Sequence, residues 1–122
     1  MYNIEFYENQ RGYSDVWDFL EVLRIQSESN KDSRIQYNQI TFMIEMLKNN
    51  GTYLPDTMVK HLSDGIWELR PGKNRVLFFF FRDNTFVLLH HFKKKTQKTP
   101  VREIEKAKKE RADYLLRKDK LI

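Results

Sequence analysis

At 122 residues, 40% hydrophobic and with 9 Phe, 6 Tyr and 2 Trp, the chain suits one domain (1–122) with a real core, which excludes wholesale disorder. The formal charge is +5, but unevenly spread: residues 93–120 hold 12 Lys/Arg against 5 Asp/Glu, and the others hold 10 against 12. A polyanion would therefore meet one end of the molecule, while the absence of cysteine excludes disulfides and thiolate metal sites.

Tyr2 to Tyr7 alternates, with Tyr2, Ile4 and Phe6 on one face, and predicts a half-buried first strand. After Gly12, Ser14-Asp15 caps a helix with Val16, Phe19, Leu20 and Leu23 at helical spacing. The polar stretch Ser27 to Ser33 separates it from a second helix. That helix turns Ile35, Ile40, Met43, Ile44 and Leu47 inward and stops at Asn50-Gly51, completing a helical hairpin. Thr52 to Gly65 is less regular, with Met58 to Leu62 readable as a short strand or a helical turn.

The pattern then turns to strands. Ile66 to Arg70, the turn Pro71-Gly72-Lys73-Asn74, Arg75 to Phe81, the Asp83-Asn84 hairpin turn and Phe86 to Phe92 form an antiparallel meander. Arg75 to Phe81 is apolar on both faces along most of its length and so sits centrally in the sheet. Thr99-Pro100 starts a last helix running towards Arg117, with a thin stripe of Ile104, Ala107 (or Lys108), Arg111 and Leu115. The fold class is α+β. The longest apolar run, Val76 to Phe81, is 6 residues, far below the ~20 that cross a bilayer. Met1 to Phe6 lacks a signal-peptide pattern, so the chain reads as soluble and cytoplasmic, with no membrane partner.

Several chemistries are excluded by what is missing. There is no Gly-rich phosphate loop, no Ser-centred elbow and no paired-carboxylate motif. His61, His90 and His91 do not have metal-binding spacing, so no metal and no cofactor is expected. His90 and His91 point to opposite faces of a strand. His90 reads as a strand-end histidine satisfied by a backbone group; for His91, on an open face, that reading and the role of proton carrier stand nearly even.

What remains is cationic. Arg70 and Arg75 flank one turn, Glu68 shares the face of Arg70, and Lys93, Lys94, Lys95 and Lys98 follow the last meander strand. An antiparallel meander brings that strand end near Arg75, so these groups line one concavity. Such a pocket suits RNA phosphodiester cleavage, in which the substrate's 2′-hydroxyl is the nucleophile and the protein positions phosphate, offsets charge and moves protons. Arg75 would clamp phosphate oxygens with its fork, or form only a surface salt bridge to Glu68. A lysine would stabilise the developing charge or protonate the leaving oxygen, and Glu68 or His91 would accept the hydroxyl proton. The same cations would also bind RNA without cutting it.

Three blocks carry a family resemblance: Ile66-Trp67-Glu68-Leu69-Arg70; Arg75-Val76-Leu77-Phe78-Phe79; and Leu88 through Pro100 with Glu103-Ile104 and Ala107. Together they resemble the HigB-type toxins of the RelE superfamily, in the phage-derived branch with Glu-Leu-Arg, a downstream Arg and Phe-x-Lys-Lys-Thr before a Pro-started helix. The resemblance implies a RelE-like fold, with an N-terminal strand and helical hairpin packed on an antiparallel sheet and a C-terminal helix. It implies a type II toxin that cuts mRNA on the translating ribosome without a metal. A helix-turn-helix antitoxin of the HigA type is the implied partner, with two toxins per antitoxin dimer, and operator DNA is reached only through it. By position, Arg75 matches the phosphate-contacting arginine, Arg70 the strand-end basic residue, and Lys94 and Lys95 the basic pair after the last strand. Arg70, Lys73, Lys93 and Lys98 are the expected RNA-binding residues. Some relatives carry a lysine, a proposed proton acceptor, where this chain has Glu68. That leaves Glu68, His91 or a lysine as the base. Tyr114 has a packing role in this reading.

Overall fold

The computed structural model describes residues 1–119. Its elements run β1 (Asn3–Phe6), α1 (Asp15–Gln26), α2 (Lys31–Asn50), β2 (Val59–Ser63), β3 (Ile66–Leu69), β4 (Asn74–Phe81), β5 (Thr85–Lys93) and α3 (Val101–Asp119). The strands form one sheet in the order β1-β5-β4-β3-β2. The expected meander is present, and Met58 to Leu62 resolves mostly into the edge strand β2, antiparallel to β3. The sheet is not wholly antiparallel, however, because β1 pairs with β5 in parallel. A tight turn would force antiparallel pairing; β1 reaches β5 only through the hairpin and three strands, and that length leaves its direction free.

Local signals set the element ends. The Ser14 side chain accepts the Trp17 N–H and opens α1. Asn30 does the same for Ser33. That cap starts α2 at Lys31, inside the stretch read as a polar spacer. Gly51, at φ 62°, ends α2, and Tyr2 packs where its side chain would be. Asp83 and Asn84 both take positive φ, as a two-residue hairpin turn requires.

Each sheet face has its own core. The hairpin α1–α2 covers one with Val16, Leu20, Leu23, Ile40 and Leu47 against Leu69, Val76, Phe78 and Leu88. On the other, α3 lays Ala107 and Tyr114 over Ile66, Leu77, Phe79 and Leu89. β4 sits between β3 and β5 and is buried from Asn74 to Phe79, in agreement with its doubly apolar pattern. Two inward-facing expectations fail. Ile35 is 45% exposed, and the buried residues of α3 are Ala107 and Tyr114, with Leu115 turned outward. The real inner face of α3 is Glu103, Ala107, Glu110 and Tyr114, a stripe in which two acids have partners on the sheet. Tyr114 is indeed a packing residue: it meets Phe79 and Phe81 edge-on, and its hydroxyl donates to Glu5. Among the described residues no helix is long and apolar enough to cross a membrane.

Candidate active site

The alternation of β3 and β4 puts Glu68, Leu77 and Arg75 on the α3 face, while Leu69 and Val76 go to the hairpin face. Arg75 stands opposite Phe92 on β5. The Lys94 N–H donates to the Lys73 carbonyl (2.8 Å), which closes the β4–β5 ladder and starts the loop that holds Lys94 to Lys98. Thr99 then returns the chain to the sheet, its hydroxyl donating to Glu68 Oε2 at 2.5 Å. A cleft of about 230 Å³ results, walled by Glu68, Arg75, the loop from Lys93 to Thr99, and the first turn of α3 with Arg102 and Glu103.

Glu68 organises the floor. It is 1% exposed. Its Oε1 accepts from Arg70 Nε (3.0 Å) and lies 3.8 Å from Arg75 Nε, while Oε2 holds Thr99. The two arginines therefore converge on one carboxylate, as the turn between them suggested. Arg75 is fixed further by donating through Nη1 to the carbonyls of Gly72 (2.9 Å) and Asn74 (2.8 Å). Burial pulls its guanidinium below its ordinary value, the charge of Glu68 opposes this, and Arg70 adds to the lowering. An arginine nevertheless stays charged throughout the accessible pH range, so a fixed cation faces the cleft. Arg70 also donates to the Asp56 carbonyl (3.1 Å) and does not line the cleft.

The lysines divide by position. Lys93, Lys94, Lys95 and Lys98 all line the cleft. Lys73 does not: it lies in a separate groove with Gln36 and Gln39 of α2, which Lys93 also borders. Among the described residues none of these five lysines forms a salt bridge, unlike Lys108 and Lys118 of α3. Their charge is left uncompensated at one end of the sheet.

His91 is not brought to the cleft. It stands opposite Val76, on the hairpin face, stacked on Phe19 at 3.8 Å between ring centroids. Its Nδ1 and its backbone N–H both meet Asp15 Oδ1, at 2.5 and 2.8 Å. Burial raises the Asp15 carboxyl, but the bonds from His91 outweigh it and hold that group below its usual value. The open face expected for His91 is closed by α1. His90 also departs from expectation. It is fully buried and is held by carboxylates, not by a backbone group: Nδ1 meets Glu110 Oε1 at 2.5 Å and Nε2 meets Glu103 Oε1 at 3.0 Å. A register shift between Leu77 and Phe78 lets both Leu89 and His90 serve the α3 side. Thr99, Arg102 and Glu103 are wall residues that sequence reasoning missed. The spacing of Glu103, Ala107 and Glu110 along one helical face was the signal available for one of them.

The fold and cleft define a small basic α+β protein with a cleft lined by Arg75 and four lysines at one end of its sheet. The chain belongs to the phage derived protein Gp49-like family (DUF891), which matches residues 27–112. That match spans every wall of the cleft. No curated protein matches the sequence. Among solved structures, the chain is similar to a YoeB–YefM complex from Staphylococcus aureus (17% identity, 79% of this chain and 99% of that one, TM-score 0.48). It is similar also to a heterotetrameric YoeB–YefM toxin–antitoxin complex from the same organism (16%, 79% and 99%, TM-score 0.49). A YoeB dimer, again from Staphylococcus aureus, matches with 16% identity over 78% of this chain and 98% of that one, at a TM-score of 0.48.

Proposed function

We propose that this protein is the toxin of a type II toxin–antitoxin system, a HigB-type member of the RelE superfamily that cuts mRNA in the ribosomal A site. The observation that carries the reading is the meeting of Arg75 with the unpaired lysines 93, 94, 95 and 98 in one cleft. The three sequence blocks that resemble HigB-type toxins build that cleft, which ties the resemblance to chemistry.

In this reading a phosphodiester seats against Arg75 and the lysine loop. The 2′-hydroxyl attacks phosphorus in line, and Arg75 with Lys94 and Lys95 offsets the charge that gathers on the phosphoryl oxygens. One of these two lysines protonates the departing 5′-oxygen. Glu68 braces Arg70, Arg75 and Thr99 instead of accepting a proton, since both its oxygens are engaged and it is shut away from solvent. Lys93 and Lys98 hold flanking phosphates, with Arg70 and Lys73 further out. The ribosome supplies the strand orientation that so small a site cannot impose on free RNA. A helix-turn-helix antitoxin, two toxins to its dimer, silences the protein in the cytoplasm and links it to operator DNA.

Induced expression should arrest growth, and primer extension on translating ribosomes should show codon-phased ends. Arg75→Ala should relieve the arrest. Arg75→Lys, which keeps the charge but not the fork, should restore part of the cutting. Full toxicity of Arg75→Ala would sink the site. One observation favours a second reading, a non-catalytic RNA- or ribosome-binding module: Arg75 Nη1 is already committed to two carbonyls, leaving fewer donors for a phosphate. Ribosome binding without codon-phased cuts would select it.

A further inference from the structure

We propose that Glu103 is the general base of this cleft, held in place by a buried chain, His90 and Glu110. The inference rests on the nuclease reading above and supplies the proton acceptor that reading lacks.

Two carboxylates wall the cleft, Glu68 and Glu103. They differ in what their oxygens do. Glu68 is buried, and both oxygens are taken by Arg70, Arg75 and Thr99. Glu103 keeps 17% of its side chain exposed. Oε1 is committed to His90 Nε2; among the described residues Oε2 accepts no hydrogen bond, and its ion-pair partner, Arg102 Nε at 3.9 Å, belongs to a side chain that is 75% exposed. One oxygen of Glu103 is thus anchored and the other is free for a substrate proton.

The anchor is unusual in its burial. His90 is completely enclosed, and Glu110, about two helical turns further along α3, holds its other nitrogen at 2.5 Å. The two acids sit seven residues apart on one face of α3, so a single imidazole spans both and fixes the carboxylate of Glu103 against the sheet. These three groups do not make a metal site. Packing alone would be served by an apolar residue at position 90, in a face otherwise lined by Leu77, Leu89 and Ala107. A polar chain that runs from the core to the cleft wall fixes the orientation of a carboxylate there, as proton transfer demands.

The step balances as follows. The O2′–H bond breaks, its proton passes to Glu103 Oε2, and O2′ bonds to phosphorus as the P–O5′ bond breaks. The leaving oxygen takes a proton from Lys94 or Lys95, giving a 2′,3′-cyclic phosphate and a 5′-hydroxyl. Glu103 and the lysine then exchange protons with solvent. The titratable and charged groups around Glu103 are its anchor His90 from β5 with Glu110 behind it, Arg102 from α3, and across the cleft Arg75 from β4, Glu68 from β3 and the loop lysines.

The test is the pH profile of single-turnover mRNA cutting on programmed ribosomes. Glu103→Gln should lower the rate at saturation about 100-fold or more, leave half-saturation unchanged and remove the acid limb. Glu110→Gln, a conservative change, should shift the midpoint of that limb without abolishing it, which a merely structural role would not do. Glu68→Gln should slow cutting but keep the limb. Rates for Glu103→Gln within threefold of the unaltered protein, or loss of the limb in Glu68→Gln alone, would overturn the assignment while leaving the nuclease intact. No cutting by the unaltered protein would fell the parent reading and this one with it.

Discussion

Replacing Glu68 with Gln tests whether this carboxylate is the brace of the cleft. The substitution keeps the shape and removes one negative charge from between two guanidinium groups. Oε1 stands 3.0 Å from Arg70 Nε and 3.8 Å from Arg75 Nε, and Oε2 accepts from Thr99 at 2.5 Å. Breaking a buried ion pair by removing one partner costs about 3–5 kcal/mol. Here the arginine side chains retain 21% and 10% exposure, and the amide oxygen still accepts one bond. The expected loss is therefore lower, about 2–3 kcal/mol. For a chain of this length that is a fall in Tm of roughly 10 °C, read by far-UV circular dichroism and checked by urea melts at constant m. Thr99→Val should cost less, about 1–2 kcal/mol, because it forfeits one hydrogen bond to a charged acceptor. A Tm for Glu68→Gln within 2 °C of the unaltered protein would mean that the two arginines do not depend on this carboxylate, and the reasoning about the floor would fail.

Other outcomes follow from the same geometry. Gly51→Ala should cost at least about 2 kcal/mol, because at φ 62° its Cβ would lie 2.8 Å from the Tyr2 ring; a melt unchanged from the unaltered protein would refute the close approach. Tyr7 is pushed up to about 12 by burial and by its bond to Asp113, and Tyr114 is pushed up by burial and by Glu5. Both phenols are favoured protonated in the fold, so this stability is intact below pH 10 and is lost as pH rises through about 12. Alkaline titration by ultraviolet absorbance should show a late-ionising component from Tyr7 and Tyr114, and Tyr7→Phe should remove part of it. Removing Lys94 and Lys95 together should weaken ribosome binding less at high salt than at low salt; an equal effect at both would argue that they do not meet phosphate.

Much of the fold was legible because local chemistry set it. Ser14 and Asn50-Gly51 act within a few residues of their own position, and the aromatic run of β4 could only be a strand covered on both sides. The convergence of Arg70 and Arg75 was also readable, because a four-residue turn leaves two strand-end side chains nowhere else to go.

Other features depended on long-range partners. The parallel pairing of β1 with β5 joins residues about 80 apart, which no local pattern encodes. His91 was read as open because nothing near it in the chain closes that face; Phe19 and Asp15, more than 70 residues earlier, do so. On α3 hydrophobicity does not mark the inner stripe. In the structure Glu103 and Glu110 turn inward, since the buried imidazole of His90 satisfies them, while Leu115 and Leu116 remain outside. By itself, then, the sequence determined the element types, their capping and a cluster of cations after β5, all governed by contacts a few residues apart. The tertiary structure alone decided which charges are spent and which are free. That depends on partners from distant segments: Thr99 on Glu68, Asp15 on His91, His90 on Glu103, and, among the described residues, no carboxylate on the lysines of the loop.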